Sequence, residues 1–178
     1  MYDLHSILIQ LKKEDTPLHG VMVRCVRCFY QWLDPTLLEG SALFELWEQE
    51  LELIYGDLHQ RLSPNAKTDA GFLGDRFGFD TPPELPRLLQ SIQTFYSVLI
   101  KFIAWNTLRG ATPEPPLTEL LSGRAFVNRG IRNFCGDDWY IWPLDIWDPA
   151  LETQCEELRA CLEAFDTCPE GSTLSPDS

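Results

Sequence analysis

Three arginines, Arg124, Arg129 and Arg132, lie in a stretch, 120–147, that also holds Phe126, Phe134, Trp139, Tyr140, Trp142 and Trp147. Guanidinium groups set among rings favour phosphate contacts combined with base stacking. The same residue types anchor protein interfaces. The block 124–147 is therefore the candidate contact surface towards a partner domain or nucleic acid, with Arg124, Arg129, Arg132, Asn133, Trp139 and Tyr140 as its residues. The plainer expectation is that the three arginines salt-bridge to the acid-rich C-terminal helix, which would neutralise both.

Other chemistry is thinner. Cys25 and Cys28 form the one closely spaced cysteine pair. A structural zinc site would want a second pair at matching distance, so these read as buried thiols on a helix face. His5, His19 and His59 are scattered, without an HExxH-type partner, and suit surface or capping roles. Asp137-Asp138 has no nucleophile or base near it in sequence and reads as a turn or helix end. The glycines of GFLGDRFGF, at 71–79, lack the lysine and Ser/Thr of a phosphate loop and read as a turn. No catalytic residue, metal ligand or cofactor is expected.

The net charge of −13 opposes an independent binder of DNA phosphates, and it is uneven. From Asp145 onward there are nine carboxylates and one arginine, so the remainder is close to ordinary. Six cysteines, without a secretory signal pattern, read as reduced cytoplasmic thiols. The longest apolar run, Val98 to Trp105, is broken by Lys101, which argues against a membrane span.

The elements that must carry these residues are helical throughout. Asp3 to Lys12 suits a short helix or a strand. Thr16-Pro17 opens a second helix with Leu18, Met22, Cys25, Phe29 and Trp32 on one face, and Asp34-Pro35 closes it. A third runs from Ser41 to about Ser63. Residues 64–80 read as a loop. Thr81-Pro82-Pro83-Glu84 supplies a start for a helix at 82–108, apolar nearly all round after Gln93 and so the expected bundle centre, with Tyr96, Leu99 and Ile103 buried. A short helix follows from Leu117, and the last begins at Asp148-Pro149 with Leu151, Cys155, Leu158, Leu162 and Phe165 as its stripe. The expectation is an all-α, irregular bundle of about five to seven helices. It forms a single domain over 1–166, with 167–178 as a disordered acidic tail.

Three blocks resemble, in order, the helical region that precedes the catalytic domain in large adenine-specific DNA methylases of fused restriction–modification systems. LWEQELELIYGDL (46–58) is similar to a helix running from tryptophan to Tyr-Gly. LLQSIQTFYSVLIKFIAWNTL (88–108) is similar to the family's central helix through Thr94, Tyr96, Lys101 and Ala104, with Gln93 where the family often has histidine and with Phe95 inserted. The third block is 121–166. The family's Asn-Pro-Pro-Tyr catalytic motif does not occur in this sequence, nor does a recognisable carboxylate–lysine nuclease core. The resemblance therefore implies a non-catalytic connector or scaffold in a restriction–modification or phage-defence protein. Its partner would be a methylase domain or other subunit, with DNA met indirectly or weakly and no membrane. The competing expectation is a stand-alone acidic interaction protein of the DNA-mimic or anti-restriction type. A small metal or redox protein built on Cys25 and Cys28 is a third.

Overall fold

The computed structural model describes residues 4–34, 36, 44–49, 66–108, 110, 112–135, 141–145, 147 and 149–165. Among these, every regular element is helical, as an all-α irregular bundle requires. The α-helices are α1 (Leu4–Lys12), α2 (Pro17–Trp32), α3 (Ala66–Arg76), α4 (Leu85–Leu108), α5 (Leu117–Leu121), α6 (Arg124–Val127) and α7 (Pro149–Glu163). Residues 44–49 are also helical, and Trp142–Leu144 forms a 3-10 turn. The third expected helix, 41–63, lies outside the described residues apart from that stretch, as do His59 and the tail at 167–178.

α2 packs chiefly on α4 and α7 and also against α1; α5 leans on α4, and α6 on α5. Phe29 of α2, Phe95 and Phe102 of α4, Phe126 of α6 and Leu158 of α7 are almost wholly enclosed in one continuous core. The beginning of α2 is local chemistry. Thr16 accepts a hydrogen bond from His19 N at 3.2 Å, its hydroxyl donates to Gln10 O at 2.6 Å, and Pro17 takes a position that needs no N–H. The buried imidazole of His19, with Nδ1 2.9 Å from Leu11 O, then ties α1 to α2.

Three sequence expectations need correction. The stretch 64–80 is no loop over most of its length, because α3 occupies it. Glycine within a helix costs roughly 0.5–1 kcal/mol against alanine. Here Gly74 lets the helix meet Pro83, whose Cδ would lie 2.7 Å from a Cβ at that position. Phe77 behind it is buried, so packing outweighs propensity. The second correction concerns the start of α4, which is Leu85 rather than Pro82. A proline following Pro82 keeps that residue out of helical geometry. Glu84 O instead accepts the first helical bond, from Leu88 N, while Glu84 N donates to Tyr30 Oη at 2.9 Å. Lastly, Leu99 is buried but Tyr96 is 41 % exposed, and Ile103 is half-buried. A helix apolar nearly all round offers no stripe from which to choose its inward face.

Cations from elsewhere in the chain close three helix C-termini that have no basic residue in their own last turn. Buried Arg87 caps α2. Its Nε donates to Tyr30 O at 2.6 Å, Nη2 reaches Asp34 Oδ2 at 3.4 Å, and the guanidinium lies 4.0 Å over the Tyr30 ring. Lys101, 2 % exposed, donates from Nζ to Leu121 O, the last residue of α5, at 2.8 Å. Arg129 donates to Leu108 O, the last carbonyl of α4. The final carbonyls of a helix have no partner within it and carry the negative end of its dipole, so a cation there is favoured by roughly 0.3–1 kcal/mol even at an exposed site.

The seam between α2 and α7 carries the thiols. Cys25 and Cys155 are buried and Cys28 is half-buried; none of the three is in a disulfide. Burial pushes the Cys25 thiol well above its ordinary range and the Cys155 thiol up to about 12, with neighbouring cysteines adding to both. The unfolded chain releases these protons near pH ~8.5, so above that point the folded state holds more protons than the unfolded one. Stability should therefore be full below about pH 8.5 and fall as pH rises towards 12, by up to about 1.4 kcal/mol per pH unit for each thiol. Melting temperature followed through this range should drop more steeply for the parent than for a Cys25→Ala/Cys155→Ala variant. Equal slopes would show that the thiols contribute nothing to the alkaline limb.

Candidate contact surface

The candidate arginines stand on a closed loop at the end of α4. α5 is ended by Ser122 and Gly123, and Gly123 adopts φ +79°, the left-handed region. A Cβ on Gly123 would overlap the backbone carbonyl of Phe134, so only glycine lets the chain at 123 touch the chain at 134. Between these contact points α6 makes one turn. Gly130, with φ +77°, reverses the chain, and Ile131 N returns to Phe126 O at 3.2 Å. Phe126 fills the interior, with ring centroids 4.5 Å from Phe134 and 5.8 Å from Trp105. Compact surface loops whose ends meet and whose own side chains fill them are frequently functional.

The charged side chains this loop presents are all basic. Arg124, Arg132 and Asn133 are exposed, together with Val127 and Asn128. Arg129 is exposed too but is anchored. Besides its bond to Leu108 O it donates to Thr112 Oγ1 at 2.5 Å, and its guanidinium lies 5.2 Å from the Trp105 ring centroid. The structure thus brings Arg124, Arg129, Arg132 and Asn133 onto one loop. Trp139 and Tyr140 lie outside the described residues, as do Asp137 and Asp138.

The expected pairing of these arginines with the last helix is not what α7 uses. Two of its carboxylates are met by other arginines: Arg24 Nη2 lies 2.5 Å from Glu157, and its own Arg159 reaches Glu156 at 3.4 Å as well as Glu114, before the helix, at 2.9 Å. Arg24 projects from α2, the helix packed directly against α7, whereas Arg129 turns towards the end of α4. Arg124 and Arg132 make no ion pair among the described residues.

Two polar groups on α4, noted in the sequence for the resemblance but given no bonding role there, join this region to the core. Thr94, fully buried, donates to Gln90 O at 2.8 Å and accepts from Trp142 Nε1 at 3.1 Å. Lys101 holds α5, the helix that leads into the loop. A lone cation inside the apolar run Val98 to Trp105 was the visible sign of the second of these. Between the start of α2 and α7, a cleft of about 640 Å³ is lined by Glu14, Asp15, Gly20, Arg24, Glu157 and Cys161, among others. Its arginine is already engaged by Glu157 and Gln154. Among the described residues no group of three or more His, Cys, Asp or Glu side chains could hold a metal ion, and no helix is long and apolar enough to cross a membrane.

No protein-family profile, characterised protein sequence or solved structure matches this chain.

Proposed function

We propose that the protein is a non-catalytic helical connector that supports an adenine-specific DNA methylase domain in a restriction–modification or phage-defence system. One observation carries this reading. The two longest blocks that resemble such enzymes, 88–108 and 121–166, bond to each other through Thr94 and Lys101, two residues that carry the resemblance in the first: Trp142 Nε1 donates to Thr94 Oγ1, and Lys101 Nζ to Leu121 O. Residues that look alike in sequence thus hold one arrangement in space, with the basic loop on its surface. The reading assigns the chain no cofactor and a cytoplasmic place of work. The DNA-mimic alternative draws on the net charge of −13, but Glu156 and Glu157 of α7 are engaged by arginines instead of being displayed as a phosphate-like row.

The purified chain, incubated with labelled S-adenosyl methyl donor and varied duplex DNA, should transfer no methyl groups. Turnover that follows the protein through purification would contradict the reading.

A further inference from the structure

The loop at 123–135 carries three arginines, no lysine and no carboxylate, on a chain whose net charge is −13. Arginine presents a planar fork that binds carboxylate or phosphate through two parallel hydrogen bonds, and it is enriched at protein interfaces where lysine is depleted. Three features of the surroundings separate these two anions. Recognition of single-stranded nucleic acid relies on exposed rings for stacking, and among the described residues of this region Trp105 and Phe126 are buried and Phe134 half-buried. Aliphatic carbon is exposed instead, at Val127 (42 %) and Leu108 (37 %), whose carbonyl holds Arg129. The acidic body also repels a long polyanion, while a three-arginine patch neutralises only a few phosphates.

We propose that this loop docks an amphipathic, carboxylate-bearing segment of a protein partner, with Arg124 and Arg132 meeting the carboxylates and Val127 meeting the apolar side. Arg129 positions the loop: its bonds to Leu108 O and Thr112 and its place over Trp105 leave the other two guanidinium groups to the partner. Loop closure at Gly123 and Phe134 fixes their spacing before binding, which lowers the ordering cost of association. The inference rests on the connector reading only in taking this loop as an outward face, and it adds the chemistry of the partner.

The test is fluorescence anisotropy with the full chain and two labelled probes, a helical peptide with one glutamate face and one leucine face, and a short DNA duplex. The peptide should bind, weaken as salt is raised, and lose about tenfold or more of its affinity in Arg124→Glu/Arg132→Glu. The gentler Arg124→Gln/Arg132→Gln pair should show a smaller loss in the same direction, which protects the test if the charge reversal unfolds the chain. Duplex DNA should bind more weakly than the peptide at physiological salt. Tighter binding of the duplex would make the loop a nucleic-acid surface, and an absent or substitution-insensitive peptide signal would overturn the proposal. Either result would leave intact a complex between the chain and a methylase core, so this inference can fail without the connector reading failing.

Discussion

Gly123→Ala should destabilise the protein by about 2–5 kcal/mol, the sum of a left-handed backbone imposed on a residue with a side chain and the overlap with the Phe134 carbonyl. The neighbour in that overlap is backbone, so no side-chain rotation relieves it; the two ends of the loop must part. Parting them would draw Phe134 off Phe126 and expose the ring that seats Trp105. Denaturant unfolding gives the size of the loss. Amide exchange should show it concentrated between 120 and 135. A stability change below about 0.5 kcal/mol, within the range of ordinary surface substitutions, would mean that the loop does not close in this way.

Lys101→Met is expected to cost about 1.5–3 kcal/mol, the range for a hydrogen bond from a charged group. Two effects compete. Methionine of similar length removes the penalty of keeping an ammonium group out of water, and such replacements of buried charge are sometimes stabilising. Against this, the last carbonyl of α5 would lose its donor at a buried position, and α5 carries the basic loop. We expect the second effect to win, because an unsatisfied buried acceptor by itself costs about 1–3 kcal/mol and methionine offers no donor. Chemical denaturation measures the sign. A more stable methionine variant would make Lys101 a tolerated liability rather than a clamp.

What could be read from the residues divides by range. Both ends of α2 were legible because Thr16-Pro17 and Asp34-Pro35 act through their immediate neighbours. The buried stripe of α7 was legible because Leu151, Cys155, Leu158 and Leu162 repeat at helical spacing. α3 was not, since the glycine that argues against a helix is the residue that lets it meet Pro83. The all-α class follows from such local signals. The links between elements do not: Arg24 and Glu157 stand 133 residues apart, Arg87 meets Tyr30 O across 57, and Lys101 meets Leu121 O across 20.

The contact surface shows the same division. Arg124, Arg129 and Arg132 were recognisable as a basic cluster by composition alone, with Asn133 beside them. That Arg129 would cap α4, and that Arg24 would take up a carboxylate of α7, depended on which helices pack together. The charge pattern states that an arginine will find an acceptor. Packing decides whether that acceptor is a carboxylate or the end of a helix.

The most direct test of the connector reading is the mass, by light scattering during size-exclusion chromatography, of the full chain co-expressed with the catalytic core of an adenine-specific methylase that lacks its own helical region. The reading predicts a stable one-to-one complex. A core and a chain that elute separately, each at its own mass, would contradict it.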